Sequence, residues 1–217
     1  MPPTLRALVL AGGRSTRLAG RHKPAIPVGG VPIVARVIAA LRTAGADPLV
    51  VGDPAGVPDG VPVIREDPPL AGPLAAVAAG IAALDAARDG VVLLIGGDMP
   101  YLTPRTLRAL AERAPAIAID PDGREQPLCA AWPEPLLRER LAALGDPTNR
   151  PLRLLDDGSA RARVPIGARE AMDVDTPALL RAALDDPDAA TADRPQASGS
   201  VSGSVAGEPW RRTFSTR

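Results

Sequence analysis

Two short apolar runs, residues 5–10 and 91–95, break off at glycine pairs, Gly12-Gly13 and Gly96-Gly97. Neither run shows the regular alternation of a strand with one wet face, and neither is long enough for a buried helix. Each predicts a strand covered on both faces, as in a parallel sheet. Between them, Ile33, Val34, Val37, Ile38 and Leu41 fall on one helical face, with Pro32 at its start and Gly45 at its stop. Further short strands are expected at 49–51 and 61–64, and an alanine-rich helix at 73–87. Alternating strands and helices predict an α/β chain: a mostly parallel sheet with helices on both faces, three layers in all. Ligands of such sheets bind beyond the carboxyl ends of strands, where the strand order reverses. The loops 11–23 and 96–100 both follow buried strands, so they are expected to meet at one crevice.

The remaining elements continue the pattern. Thr103 caps a helix that opens on Pro104. Strands at 116–119 and 126–132 flank the turn sequence DPDG. Helices at 135–144 and 151–157, strands at 162–165 and 171–174, and a last helix at 177–184 complete a folded domain over 1–185. Residues 186–217 are rich in Ser, Gly, Ala, Asp and Pro and poor in core formers, which predicts a disordered C-terminal tail.

Charge and cysteine content narrow the function classes. Lysine plus arginine equal aspartate plus glutamate at 25 each, so the basic excess of a general nucleic-acid binder is missing. Cys129 stands alone, which excludes an intramolecular disulfide framework and a cysteine-rich zinc site; it reads as a buried strand residue. No apolar segment approaches the ~20 residues of a membrane span, and the first apolar run is too short for a signal peptide. The expected location is cytoplasmic, with no membrane or nucleic-acid partner, as a monomer or weak homo-oligomer.

The first loop carries the chemistry. Gly12 and Gly13 let backbone N–H groups approach an anion closely. Arg14 and Arg17 offer forked donors for phosphate oxygens, and Lys23 adds a mobile charge. A polyphosphate is the natural ligand. A P-loop would end in Gly-Lys-Ser/Thr and a dinucleotide fingerprint would read G-x-G-x-x-G; neither spacing occurs in the loop. Asp98, after the second glycine pair, is a candidate Mg²⁺ ligand or a turn cap before Pro100. Asp175 either supplies a second carboxylate or starts the helix at Pro177. Asn149, Arg150 and Arg153 either contact an acceptor or form a solvated helix start. His22 reads as an exposed loop histidine or a proton relay.

The stretch LAGGRSTRLAGRHKPAIPVGG resembles the N-terminal signature of the molybdenum cofactor guanylyltransferases, members of the nucleotidyltransferases with a Rossmann-like fold. Similar landmarks follow in order: EDPPLAGPLAAV, LIGGDMPYLTP, QPLCAAW and AMDVDTPALL. Leu18 stands where the signature has methionine, and His22 where an aspartate is common. The resemblance implies transfer of GMP from GTP to a molybdopterin-type acceptor with Mg²⁺ and release of pyrophosphate. It implies triphosphate contacts from Arg14, Arg17 and Lys23, nucleotide contacts from Leu10, Ala11, Gly12, Gly13, Asp53, Asp67 and Asp98, and metal binding by Asp98 and Asp175. A related transferase of CTP or of another phosphate acceptor, and a non-catalytic nucleotide-binding regulator, are the alternatives.

Overall fold

The computed structural model describes residues 4–12, 22–86, 89–156, 158 and 160–173. Gly13, Arg14, Arg17, Asp175, the expected helix at 177–184 and the tail at 186–217 lie outside the described residues.

The first strand, β1 (Leu5–Ala11), sits near the middle of the fold because both its edges are taken. It pairs in parallel with β4 (Asp47–Gly52) on one side and with β6 (Val91–Gly96) on the other. β5 (Val63–Ile64) adds outside β4. Beyond β6 come β8 (Glu125–Pro133), β7 (Ala116–Ile119) and β9 (Ala162–Pro165), giving the order β5-β4-β1-β6-β8-β7-β9. β8 alone runs against the other strands of this sheet. A two-stranded hairpin, β2 (Pro27–Val28) and β3 (Val31–Pro32), precedes the first helix. The chain builds β1, β4 and β5 in one direction, then returns through α2 to place β6 on the far side of β1. The reversal of strand order therefore falls between β1 and β6.

Helices α1 (Ile33–Ala44) and α3 (Pro104–Glu112) share one apolar core with Ala7, Val9 and Ala11 of β1. Helices α2 (Pro73–Ala83) and α4 (Glu134–Leu144) share the other with Leu8 and Leu10. The alternation explains why β1 has almost no polar position: each face meets a helix layer. Side-chain sizes are matched across the layers. The bulky Val37, Ile38 and Leu41 of α1 share a core with the small Ala7 and Ala11. The alanine-rich α2 faces Leu8, and an added Cβ at Gly80 would lie 2.7 Å from Leu8 Cδ1. Burying a leucine such as Leu8 contributes about 1.5–3 kcal/mol, provided the gap opposite it is filled.

Helix ends follow local chemistry. Gly45 takes φ 90° after α1, and the Gly45 and Ala46 N–H groups close on the Arg42 and Leu41 carbonyls. Thr103 caps α3 by accepting from the Thr106 N–H, as expected. Three expectations change. Helix α2 stops at Ala83. The helix expected at 151–157 shrinks to a 3-10 turn, Leu152–Leu155, where Leu152 and Leu155 are buried and Arg153 is exposed. Residues 171–173 form a turn and irregular chain rather than the start of a strand; the segment is tied instead to α3, where Glu170 accepts from Thr103 and Thr106. Among the described residues no helix is long and apolar enough to cross a membrane.

Gly52 ends β4 at φ 134°, and an added Cβ would lie 2.5 Å from the Ala11 carbonyl carbon and 2.6 Å from the Gly12 nitrogen. Gly52→Ala is expected to destabilise the protein by more than about 3 kcal/mol, because backbone on both strands must move. Urea unfolding checks this; a loss below about 1 kcal/mol would show that the two strand ends separate freely.

Candidate active site

A cavity of about 230 Å³ opens at the carboxyl ends of β1 and β6. Leu10 and Gly12 from the end of β1, Asp98 from the loop after β6, and Gly72, Pro73 and Ala76 from the start of α2 line it, joined by Glu66, Leu70 and Leu128. The crevice expected from the two glycine loops is thus present, with Gly12 and Asp98 on one cavity.

Backbone contacts hold this mouth in shape. The Leu10 carbonyl accepts from the Gly97 N–H at 3.0 Å, and the Ala11 carbonyl accepts from the Asp53 N–H at 3.2 Å. The loop after β6 and the loop after β4 are therefore both tied to the last two residues of β1. The glycines permit the approach: a Cβ at Gly97 would sit 3.1 Å from the Leu10 oxygen. A Cβ at Gly96 would sit 2.9 Å from Asp98 Oδ1, so the carboxylate folds back over Gly96. Arg36 of α1 ties the hairpin β2-β3 to the segment after β6, donating to the Pro100 carbonyl at 3.4 Å and the Val28 carbonyl at 3.3 Å.

Of the other sequence-predicted residues, Ala11, Lys23, Asp53 and Asp67 are described, and none of them lines the cavity. Ala11 is fully buried in the core shared with α1 and α3. Lys23 begins the 3-10 turn Lys23–Ala25, half-buried and outside the cavity lining. Asp53 flanks the site: its carboxylate accepts from the Ala55 N–H at 2.9 Å and pairs with Arg65 at 3.5 Å. Asp67 is exposed and does not line the cavity. Its neighbour Glu66 does, with 6% of its surface accessible. Glu66 Oε1 accepts from the Leu70 N–H at 2.9 Å, while Oε2 is buried with no hydrogen-bond partner among the described residues. A carboxylate oxygen left unpaired in a cavity costs free energy that a ligand donor recovers.

Glu66 is the residue sequence reasoning missed, and a signal for it existed. Successive side chains alternate along an extended chain. Ile64 ends β5 packed against the α2–α4 core, so Glu66, two residues on, shares its face, and Asp67 takes the other.

The backbone of Asn149 and the side chain of Arg150 brace the scaffold. The Asn149 N–H donates to the Ala71 carbonyl at 2.6 Å, bracing the turn before α2, and Arg150 donates to the Leu144 and Asp146 carbonyls beyond α4. Cys129 is fully buried, and burial, with a smaller contribution from Glu170, pushes its thiol up to about 12, which makes it inert. His22 departs from the exposed loop histidine expected. It is half-buried, and its Nε2 has no hydrogen-bond partner among the described residues. Burial lowers its pKa below 6.5; Asp53 opposes this and Arg65 adds to it.

Residues 7–162 match the model of a protein family described as the MobA-like NTP transferase domain. The chain is 36% identical over 134 residues to a molybdenum cofactor guanylyltransferase of Rhodobacter capsulatus, covering 59% of this chain and 68% of that one. It is 33% identical over 169 residues to a protein of the same name from Cereibacter sphaeroides, covering 74% and 86%. Among solved structures it resembles a nucleotidyl transferase from Methanothermobacter thermautotroptrophicus, with a TM-score of 0.66 and 28% identity over 84% of this chain and 96% of that one.

The lowered pKa of His22 has a pH signature. The unfolded chain takes up this proton near pH 6.5, the folded chain only at lower pH, so folding stability falls as pH drops through and below 6.5. His22→Gln removes the proton uptake, and between pH 7.5 and 5.5 the variant is expected to lose less stability than the wild type. Urea midpoints at the two pH values measure this; equal losses would overturn it.

Proposed function

Because the chain belongs to the MobA-like NTP transferase family, we propose that it transfers GMP from GTP to a molybdopterin-type acceptor, releasing pyrophosphate. The observation that carries this reading is a single cavity shared by Gly12, Glu66 and Asp98 at the reversal point of the sheet, in a chain whose relatives are named molybdenum cofactor guanylyltransferases.

In the proposed reaction an acceptor phosphate oxygen attacks the α-phosphorus of GTP. A new P–O bond forms, the bond to the bridging oxygen of the β-phosphate breaks, and charge builds on the departing pyrophosphate. Catalysis of such a step is positioning and charge stabilisation. Backbone N–H groups over 11–13 cradle phosphate oxygens. Lys23, with Arg14 and Arg17 proposed from sequence, neutralises the triphosphate and the leaving group. Glu66 Oε2 accepts a base N–H; the amino and imino groups on the edge of guanine are donors of this type. Asp53, outside the cavity lining, orders the loop flanking the nucleotide, and exposed Asp67 forms the outer rim beside Glu66.

Asp98 is the proposed metal-binding carboxylate, with Asp175 proposed from sequence as a second. The residues fit a hard cation of the Mg²⁺ kind: the Asp98 carboxylate, a hard oxygen donor, lines the cavity. Among the described residues no group of three or more His, Cys, Asp and Glu is placed to hold a metal ion. Mg²⁺ takes one or two protein carboxylates and fills the rest of its shell with water and phosphate oxygens. Bound there, Mg²⁺ supplies charge neutralisation at the phosphates.

Asp98→Ala is expected to lower the rate of pyrophosphate release from GTP and acceptor at least ~100-fold, the scale of one lost electrostatic contact in a transition state. A rate within threefold of wild type removes Asp98 from the mechanism. In a thermal-shift panel of GTP, CTP, UTP and ATP with Mg²⁺, GTP is expected to raise the melting temperature most. Greater stabilisation by CTP would make the protein a cytidylyltransferase instead.

A further inference from the structure

Leu70 is out of place by the ordinary rules of folding. It takes φ 64°, a left-handed conformation that a branched, Cβ-bearing side chain rarely adopts. Among the described residues it is the large apolar side chain left exposed, at 48%. Both features cost free energy, and nothing in the packing of the core recovers it. The chain nevertheless holds this residue in place: its N–H donates to Glu66 Oε1 at 2.9 Å, and Glu66 is itself buried. The result sets Leu70 on the lining of the cavity that also contains Gly12 and Asp98.

The cavity has two chemical characters. Leu10, Leu70, Leu128, Pro73 and Ala76 give it apolar walls, and Glu66 joins the lining with a carboxylate whose Oε2 is buried and has no hydrogen-bond partner among the described residues. Phosphate oxygens gain nothing against leucine side chains. A planar heteroaromatic ring matches both: its faces are apolar and its edge carries N–H donors. Strain held at a binding site is characteristic of a pre-organised contact.

We propose that Leu70 is an apolar lip held in a strained backbone conformation by Glu66, and that it covers one face of the nucleotide's base. One side chain, Glu66, thereby does two jobs: Oε1 fixes the lip and Oε2 reads the edge of the ring. The inference rests on the nucleotide-binding reading of this cavity and adds a specificity-determining residue to it.

The test uses the full chain with Mg²⁺ and two probes, GTP and inorganic tripolyphosphate, in calorimetric titrations. Leu70→Asn keeps a residue that tolerates the left-handed region and removes the apolar surface. Leu70→Met keeps the apolar surface. The Asn variant is expected to bind GTP about tenfold more weakly, to bind tripolyphosphate as the wild type does, and to melt at or above the wild-type temperature without ligand. The Met variant is expected to stay within about twofold of wild type for GTP. Unchanged GTP affinity in the Asn variant overturns the proposal. So does an equal loss for tripolyphosphate, which would place Leu70 beside the phosphates, or a fall of several degrees in the ligand-free melting temperature, which would make it a folding residue. Failure of the wild type itself to bind GTP is a separate result, and it overturns the guanylyl reading along with the lip.

Discussion

The last two carbonyls of β1 organise the functional end of this molecule. Leu10 accepts from Gly97 on one side and Ala11 accepts from Asp53 on the other. A backbone carbonyl is an obligatory acceptor when buried, and here the partners come from the loops that follow the two neighbouring strands. The consequence is steric as much as energetic. Loops pulled this close crowd side chains: a Cβ at Gly52 would collide with the backbone of Ala11 and Gly12, and one at Gly97 would press on the Leu10 oxygen. The glycines of the sequence are therefore partly marks of loop convergence, and only partly marks of anion binding.

This division explains what could be read beforehand. The strands β1 and β6 and the helices α1 and α3 were legible because burial on two faces, a 3.6-residue stripe and end-capping by Gly45 and Thr103 each act within a few residues of sequence. That the end of β1 at Gly12 meets the loop 96–100 was legible from topology, since a parallel sheet places the ends of neighbouring strands side by side. The 3-10 turn at Leu152–Leu155 and the attachment of Glu170 to α3 were not, because both depend on which distant surface the chain lands upon. Glu170 shows the reason. Burial pushes its carboxyl up, yet the hydrogen bonds from Thr106, Thr103 and the Gly167 N–H outweigh burial and hold it below the ordinary carboxylate range. Three of those donors lie more than sixty residues away in sequence.

The candidate site was legible in its type of chemistry and less so in its residues. A glycine loop with cations after a buried strand points to phosphates, and an aspartate after the neighbouring strand points to a cation. The acidic pair Glu66-Asp67 is harder. Motif position favours Asp67, whereas the alternation that starts in β5 turns Glu66 inward. The physical rule and the pattern of letters disagree by one residue, and in a strand one residue exchanges the two faces. His22 follows similar logic: the loop around it is polar in sequence, but it is half-buried and within electrostatic reach of Asp53, just after β4, and Arg65, just after β5.

Two buried glutamates separate what the fold needs from what the site needs. Glu134, fully buried at the amino end of the sheet, is held by Arg6 from β1 and by Arg138 one turn along α4 at 2.8 Å. The arginines are anchored in turn, Arg6 on the Asp85 carbonyl and Arg138 on the Leu84 carbonyl. Removing one partner from such a group would leave a buried charge uncompensated, at a cost of about 3–5 kcal/mol, so the network locks β1, α4 and the end of α2 together. Glu66, at the carboxyl end of the same sheet, receives a single N–H and keeps its other oxygen unpaired. The same chain supplies two arginines to one carboxylate and none of its described residues to the second oxygen of the other. A fold selected for stability alone would complete both, or replace Glu66 with an apolar residue beside Leu10 and Leu128. The difference follows if the missing partner at Glu66 arrives with a ligand, and it locates recognition at the end of the sheet where the strand order reverses.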